Sequence, residues 1–248
     1  MEAMWDANAT QLSRHLHAYE SRGGAQLLML RHSKREEPEE LHQLIDAALT
    51  DEGRDGARRF GESLPRDRIY RFYHSPVERC AETAQIVASA LPEGRSLGVE
   101  EAGFLFRIHA EKESFRRFLA RDGDNIINHW LAGHYPEGDI EPPISFARAV
   151  QQEWRSIQER HRSAGEEHVT TVFLSHDLHT AVCLYLWTGL FRGSEDMIQP
   201  MDGFLLEEHA DGLSVLTKEG VKELSGPHWW NATDRGPVGG IDRPGESG

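Results

Sequence analysis

The chain has 248 residues, of which 38% are hydrophobic and 27% are charged, a composition typical of a globular protein with a substantial core. Its formal net charge of −14 disfavours nucleic acid and anionic membranes as partners, so an anionic substrate would have to be attracted by a local cluster of arginines. The sequence contains neither a long apolar run nor a secretory signal, and we expect a cytoplasmic protein. The two cysteines, Cys80 and Cys183, are too few for a disulfide framework and are predicted to lie in the core.

Residues 1–24 are predicted to form an N-terminal helix that packs on the outside of the core. Leu12, Leu16 and Tyr19 share one helical face, and the following Gly23 is typical of a helix stop.

The first predicted strand ends in a cation and an imidazole. Residues 27–30 form a short apolar run of the kind found in buried strands, and Arg31 and His32 follow it directly. Ligands of open α/β sheets bind beyond the carboxyl ends of the strands, so these two side chains lie where a substrate would arrive. A strand followed by a solvated charged loop is the alternative interpretation.

Two helices are predicted before the second strand. Residues 41–49 have a helical pattern, and Thr50 is placed to cap the next helix, which has acidic residues in its first turn. The apolar face of that second helix comprises Ala57, Phe60 and Leu64.

A capping box is predicted after the second strand. Ser75 is the expected N-cap, Pro76 the first helical residue and Glu78 the reciprocal partner. Arg79 then lies in the first turn, off the predicted apolar face, where the helix dipole disfavours a cation. An anion bound at this terminus would remove the conflict.

A long segment without regular periodicity precedes the last predicted parallel strand. Residues 122–143 are rich in Gly and Pro, and we expect a lid or specificity segment there. A helix follows over residues 145–162, and the strand at residues 168–175 then leads to His176 and Asp177.

The C-terminal part is predicted to form a hairpin of residues 203–208 and 213–217. Residues 226–248 are predicted to be an extended or disordered tail. The whole pattern predicts one α/β domain over residues 25–225, a three-layer sandwich with a mixed, mostly parallel sheet between helices.

Three strand exits would place Arg31, His32, Arg79, His176 and Asp177 at one edge of this sheet. Two converging arginines suit phosphate oxygens, because their planar forks match that geometry. A histidine beside them can attack phosphorus, and a second can donate a hydrogen bond to the charged oxygens.

These residues resemble the signatures of the histidine phosphatase superfamily, which includes acid phosphatases and phosphoglycerate mutases. The family opens with Arg-His-Gly after a strand, whereas this chain has serine at position 33. The matching segments are Arg31-His32, Ser75-Pro76 with Arg79 and Thr83-Ala84, residues 172–176, and residues 200–204.

The resemblance implies a metal-independent phosphatase that acts on a small-molecule phosphate ester without a cofactor. His32 would become the phosphohistidine. The phosphoryl group would be bound by Arg31, Arg79 and His176, with Arg35 as a further ligand similar to one in the acid phosphatase branch.

Two carboxylic acids compete for the role of general acid. Asp177 resembles the aspartate of the acid phosphatase branch, although it could equally be an ordinary helix cap. Glu101, or its neighbour Glu100, lies where the other branch keeps a glutamate. We favour Asp177.

Three other functions are compatible with the sequence. A phosphomutase of the same fold is one, although residues 34–37 do not resemble the family's mutases. A non-catalytic phosphate-binding module is suggested by Ser33, and a metallohydrolase by the spacing of His176 and His179. The sequence indicates neither the natural substrate nor the oligomeric state.

Overall fold

The computed structural model describes residues 4–38, 43, 44, 46–106, 112–136, 138–166, 168–192, 196–227 and 230. The helices in these ranges are α1 (Met4–Ala18), α2 (Asp51–Glu62), α3 (Glu78–Ser89), α4 (Lys112–Asp122), α5 (Ile126–Leu131), α6 (Pro143–Ser163) and α7 (Asp177–Thr188). The strands are β1 (Ala25–Arg31), β2 (Ile69–His74), β3 (Ser96–Glu101), β4 (Val169–Ser175), β5 (Gly203–His209), β6 (Gly212–Thr217) and β7 (Gly220–Leu224). Two short 3-10 helices cover Gly103–Phe106 and Gly123–Asn125.

The seven strands form one mixed sheet in the order β3-β2-β4-β1-β5-β6-β7. Strands β1 to β4 are mutually parallel, and β5 to β7 extend the sheet by antiparallel pairing. The predicted α/β class and the predicted hairpin are therefore confirmed.

Strand β1 shows how the sheet is covered on both faces. Its apolar run alternates, with Leu27 and Met29 in a core cluster that contains residues of α5, α6 and α7. Leu28 and Leu30 belong to a second cluster, which contains residues of α1, α2 and α3. Because successive side chains of a strand point to opposite faces, the sheet lies between two helical layers.

Helix α1 packs as predicted, since Ala9, Leu12 and Leu16 are buried in the second cluster. The loop from α1 into β1 is held by the buried carboxylate of Glu207 on β5. One carboxylate oxygen accepts the backbone N–H groups of Arg22 and Gly24, at 2.7 and 2.8 Å, and the Ser21 hydroxyl. The other accepts the side-chain amide of Gln26. The carboxylate thus anchors the start of the central strand.

The local predictions around α2 have mixed outcomes. Thr50 caps α2 as expected, with its hydroxyl accepting the Gly53 N–H. The helix predicted over residues 41–49 is wrong where the chain is described, because Leu49 instead forms an antiparallel bridge with Arg35. The Glu36 N–H also donates to the Ala48 carbonyl, and this pairing holds residues 48 and 49 extended, while residues 43, 44 and 46 lie in turns. Residues 41, 42 and 45 lie outside the described part.

The prediction of an irregular segment over residues 122–143 is wrong for residues 123–131, which are helical. It contains α5, whose Ile127 and Trp130 are buried in the first core cluster. Asp122 ties the segment together, because its carboxylate binds Arg121 and accepts the hydroxyl of Tyr135. A role in specificity for this segment stays a prediction.

Both cysteines are buried and free, as predicted. None of the described helices is both long and apolar enough to span a membrane. Trp230 is buried and donates its indole N–H to Glu208, and most of the predicted tail, residues 228, 229 and 231–248, lies outside the described residues.

Candidate active site

The predicted strand exits meet at one edge of the sheet. Arg31 at the end of β1 is paired with Ser175 at the end of β4, and His74 at the end of β2 is paired with Leu174. The residues that follow these parallel strands are therefore neighbours. The imidazole rings of His32 and His176 lie 5.4 Å apart between centroids.

His32 is a buried, neutral imidazole with a defined tautomer. Its Nδ1 lies 2.7 Å from the carbonyl oxygen of Ser33, which can only accept, so Nδ1 carries the proton. Nε2 consequently holds the lone pair and accepts a 2.9 Å hydrogen bond from Nε of Arg79. Burial lowers the pKa of His32 well below its ordinary value, and the charges of Arg79 and Arg31 add to the effect. His32 therefore stays in the form that can act as a nucleophile.

Arg79 projects into the site from the first turn of α3 and is buried, contrary to its predicted position off the buried face. Its Nη1 donates to the carbonyl of Leu44, and its Nη2 lies 3.3 Å from Nδ1 of His176. Burial lowers the pKa of Arg79, so the site holds a partly desolvated cation.

The predicted capping box on α3 is wrong. The helix begins at Glu78 with Val77 as N-cap and no side-chain cap bond. The hydroxyl of Ser75 instead lies 3.0 Å from Nε2 of His176, 101 positions along the chain. Since Nδ1 of His176 faces a guanidinium donor, Nε2 carries the proton and donates to Ser75. The same oxygen also accepts the Val77 N–H at 3.3 Å, while the Ser75 N–H, which a capping box would pair with Glu78, donates to the Leu174 carbonyl.

His176 follows β4 and is buried like His32. Burial lowers its pKa well below the ordinary value, and the neighbouring His179 and His32 contribute to the shift. The ring of Phe106 contacts it at 5.1 Å between centroids, which limits its rotation.

Arg31 is fixed by a backbone carbonyl and a carboxylate. Its Nη1 donates to Ile198 at 2.7 Å, and its Nη2 lies 3.1 Å from Oδ2 of Asp177. Its Nε is buried and has no hydrogen-bond partner in the described part of the chain, so a donor remains for a ligand.

Asp177 begins α7 rather than capping it. Burial alone would raise the pKa of its carboxyl group, but the Arg31 guanidinium and the Leu178 N–H outweigh burial and hold the pKa below the usual value. In the ligand-free site Asp177 is therefore ionised.

The remaining predicted residues lie at the margin of this group. Arg35 is close enough to Arg31 that burial and the Arg31 charge lower its pKa. Glu101 is exposed at the end of β3, opposite His74. Glu100 forms an ion pair with Arg71.

Two hydroxyl groups in the site had no role assigned from the sequence. The buried Ser33 donates its hydroxyl to the carbonyl of Gly53 at 2.6 Å and its N–H to Oγ1 of Thr83. Thr83 in turn donates to the carbonyl of Arg79 at 2.7 Å. The position of Ser33 after the histidine was the available signal, but its partners are remote in sequence.

The described residues contain no group of three or more potential metal ligands. His179 is buried among the rings of Phe106, Trp130 and Phe146, and neither of its nitrogens has a hydrogen-bond partner within the described ranges. Burial lowers its pKa to about 4. No third ligand for a metal on His176 and His179 is found there.

The charges of the site suit a dianion. Three guanidinium groups, from Arg31, Arg35 and Arg79, interact electrostatically with the carboxylate of Asp177, and Arg35 also interacts with Glu37, so the cations outnumber the carboxylates beside two neutral imidazoles. A phosphomonoester dianion carries the complementary charge.

Residues 27–199 match the family model of the histidine phosphatase superfamily, branch 1. The chain belongs to this superfamily. The match covers all three strand exits that supply the histidines and arginines of the site.

Solved structures of the superfamily fold are similar to this chain. Bacillus stearothermophilus YhfR is 17% identical with a TM-score of 0.55, over 80% of this chain and 98% of that chain. A mycobacterial glucosyl-3-phosphoglycerate phosphatase in complex with VO3 is 16% identical with a TM-score of 0.57, over 78% and 98% of the two chains. A phosphoglycerate mutase from Bacillus anthracis is 17% identical with a TM-score of 0.50, over 81% and 92%. At these identities the likeness establishes the fold, and no curated protein sequence matches significantly.

Proposed function

We propose that the protein is a metal-independent phosphatase that hydrolyses a small phosphomonoester through a phosphohistidine at His32. The observation that carries this proposal is the state of His32, whose Nδ1–H is bound to a carbonyl while the Nε2 lone pair points at the Arg79 guanidinium. A neutral imidazole whose lone pair faces an anion-binding cation is arranged to attack a phosphoryl group.

Substrate binding would exchange one set of hydrogen bonds for another. In the ligand-free site Arg79 occupies the lone pair of His32. A bound phosphoryl group offers better acceptors to Arg79, Arg31 and Arg35. When Arg79 leaves Nδ1 of His176, the Ser75 hydroxyl can donate to Nε2, and Nδ1–H of His176 then donates to a phosphate oxygen. Once Arg79 donates to phosphate oxygens, the His32 lone pair is free for in-line attack.

The reaction then proceeds in two displacements. Nε2 of His32 forms a bond to phosphorus while the ester P–O bond breaks, and the leaving oxygen takes a proton from a carboxylic acid. Water next attacks phosphorus, the P–N bond breaks, and the carboxylate receives the proton of that water. His32 returns to its neutral form with inorganic phosphate as product.

The proton donor is proposed to be Asp177, with Glu101 as the competing candidate. The pKa of Asp177 is held low by Arg31 in the ligand-free site. A phosphate dianion bound to Arg31 would offset that cation and raise the Asp177 pKa, which favours the protonated form when substrate is present. The family model is that of branch 1, while Asp177 was expected from the acid phosphatase branch, so Glu101 is tested beside it.

The test measures turnover of an aryl phosphate in the presence of a metal chelator and traps the phosphoenzyme. His32→Ala is expected to lower kcat by at least about a thousandfold and to abolish the acid-labile phosphoenzyme, because the attacking nitrogen is lost. His168→Ala is the matched control, since this exposed histidine precedes the opposite end of β4. Parent-like turnover in His32→Ala would contradict the mechanism.

The same assay identifies the general acid and distinguishes hydrolysis from phosphoryl transfer to another hydroxyl group. Asp177→Asn is expected to lose more kcat on a poor leaving group than on an aryl phosphate, whereas Glu101→Gln would show that pattern if it were the donor. A mutase would transfer the phosphoryl group to an added hydroxyl compound rather than release inorganic phosphate, and a binding module would bind phosphate without turnover.

A further inference from the structure

The tautomer of His32 is set by its hydrogen-bond partners on both sides of the ring. Nδ1 of His32 lies 2.7 Å from the Ser33 carbonyl oxygen, which requires a proton on Nδ1. On the other side, the Arg79 guanidinium donates to Nε2 and requires the same tautomer in the ligand-free site. Once Arg79 donates to a bound phosphoryl group instead, the Ser33 carbonyl alone keeps the lone pair on Nε2.

That carbonyl is oriented by the other two polar groups of Ser33. The Ser33 hydroxyl donates to the Gly53 carbonyl in the first turn of α2 at 2.6 Å, a short hydrogen bond. The Ser33 N–H donates to Oγ1 of Thr83 on α3 at 3.2 Å. Ser33 and Thr83 are fully buried, so water cannot replace either hydrogen bond without rearrangement.

The tight packing of α2 makes the hydroxyl tether possible. A Cβ atom at Gly53 would overlap the carbonyl oxygen of Lys34, and the Thr50 N–H donates to the same oxygen at 3.0 Å. The backbone of α2 thus touches the backbone that follows His32. A serine hydroxyl at position 33 spans the distance to Gly53, which a glycine or alanine cannot do.

We propose that Ser33 is a positioning residue for His32, whose hydroxyl is bound to the Gly53 carbonyl and thereby aims the Ser33 carbonyl at the Nδ1–H of His32. The inference rests on the proposed function of His32 as nucleophile. Without the hydroxyl, the Ser33 peptide is held on one side only, and the fraction of His32 with Nε2 ready for attack falls. Phosphate binding by Arg31, Arg79 and His176 does not use this tether.

The test compares Ser33→Ala and Ser33→Gly with Ser13→Ala. Ser13 is a matched control, because its buried hydroxyl also donates to a carbonyl of a neighbouring element, that of Ser63 after α2, at a distance from the site. The Ser33 variants are expected to lower kcat about tenfold, the effect of one net hydrogen bond, with KM changed less than twofold. Ser13→Ala is expected to keep the kcat of the parent.

Nitrogen-15 NMR of the His32 ring provides a readout that needs no turnover. With inorganic phosphate bound, the parent is expected to show a protonated Nδ1 and a bare Nε2, whereas the Ser33 variants show a mixture of tautomers. If both folded Ser33 variants keep the parent tautomer and kcat while losing stability like Ser13→Ala, Ser33 is only structural and the proposal is wrong. Because the spectrum reports on the tautomer even if His32 proves not to be the nucleophile, failure of the inference is distinct from failure of the proposed function.

Discussion

The two ends of strand β1 differ in how the hydrogen-bonding groups of their buried charges are paired. At the amino end, the Glu207 carboxylate accepts two backbone N–H groups and two side chains, all from the chain itself. At the carboxyl end, the Arg79 guanidinium donates to an imidazole lone pair and a backbone carbonyl, and Arg31 retains a buried Nε without a partner among the described residues. The Glu207 carboxylate is surrounded by donors of its own chain and stabilises the fold, whereas the buried Nε of Arg31 still has a hydrogen to donate to an anionic ligand.

Removing the cation at the carboxyl end tests this contrast most severely. Arg79→Gln is expected to lower kcat/KM by about 10² to 10³, because one preorganised donor to the phosphoryl oxygens is lost. Its free energy of unfolding should fall by less than that of a Glu207 variant, since a desolvated cation is removed as well. Steady-state kinetics and urea unfolding measure the two effects. If Arg79→Gln unfolds easily but retains the kcat/KM of the parent, Arg79 serves the fold rather than the site, and the contrast is wrong.

Removing the anion at the amino end should have the opposite signature. Glu207→Ala is expected to lower the free energy of unfolding by about 3 kcal/mol, since the hydrogen-bond donors that face the carboxylate lose their acceptor. Glu207→Gln keeps one carbonyl oxygen and should lose less. The kcat of the folded protein should not change in either variant. A loss of kcat at full folding would show that the two ends of β1 are not independent.

Substitution of His179 is expected to have the smallest effect on the free energy of unfolding. Its side chain is buried but belongs to neither end of β1. His179→Phe is expected to raise the free energy of unfolding by about 1 kcal/mol at neutral pH, because a buried imidazole with unsatisfied nitrogens is replaced by a ring suited to its aromatic surroundings. Activity should be retained, whereas a metal site that used His179 would be lost.

The pH dependence of stability provides an independent measure of the same substitution. The pKa of His179 is lowered to about 4 in the folded protein, so the unfolded chain binds the proton more tightly. The free energy of unfolding is therefore independent of this group above about pH 6.5 and declines as the pH falls from there toward 4, because the unfolded chain is protonated first. Urea unfolding across this range should show a shallower decline in His179→Phe than in the parent. Equal slopes in the two proteins would contradict the buried neutral state of His179.

The sheet, and the fact that the residues after its parallel strands are neighbours, could be predicted from the sequence. Residues 27–30 of β1 and 172–174 of β4 are consecutive apolar residues, as in strands buried on both faces, and parallel strands in one sheet end at the same edge. Arg31, His32, Arg79 and His176 could therefore be grouped before any coordinates were known.

The wrong predictions concern groups whose partners are remote in sequence. Ser75 fits a local capping box, but its N–H donates to the Leu174 carbonyl of β4, so the reciprocal bond of the box does not form. Leu49 has a helical context, but its pairing with Arg35 across the loop determines the backbone. Local propensity is a weak prior when a tertiary hydrogen bond or bridge is available. The hydroxyl bond from Ser33 to Gly53 is of the same kind, since it depends on the approach of α2.

The hydroxyl of Thr83 has a mechanical consequence for this site. It accepts the Ser33 N–H, directly after His32, and donates to the backbone carbonyl of Arg79, so one oxygen atom joins the two backbones. A displacement of the first turn of α3 would therefore move the backbone that carries His32, the proposed nucleophile, in the same direction. The two backbone segments would keep their separation when the helical layer shifts against the sheet.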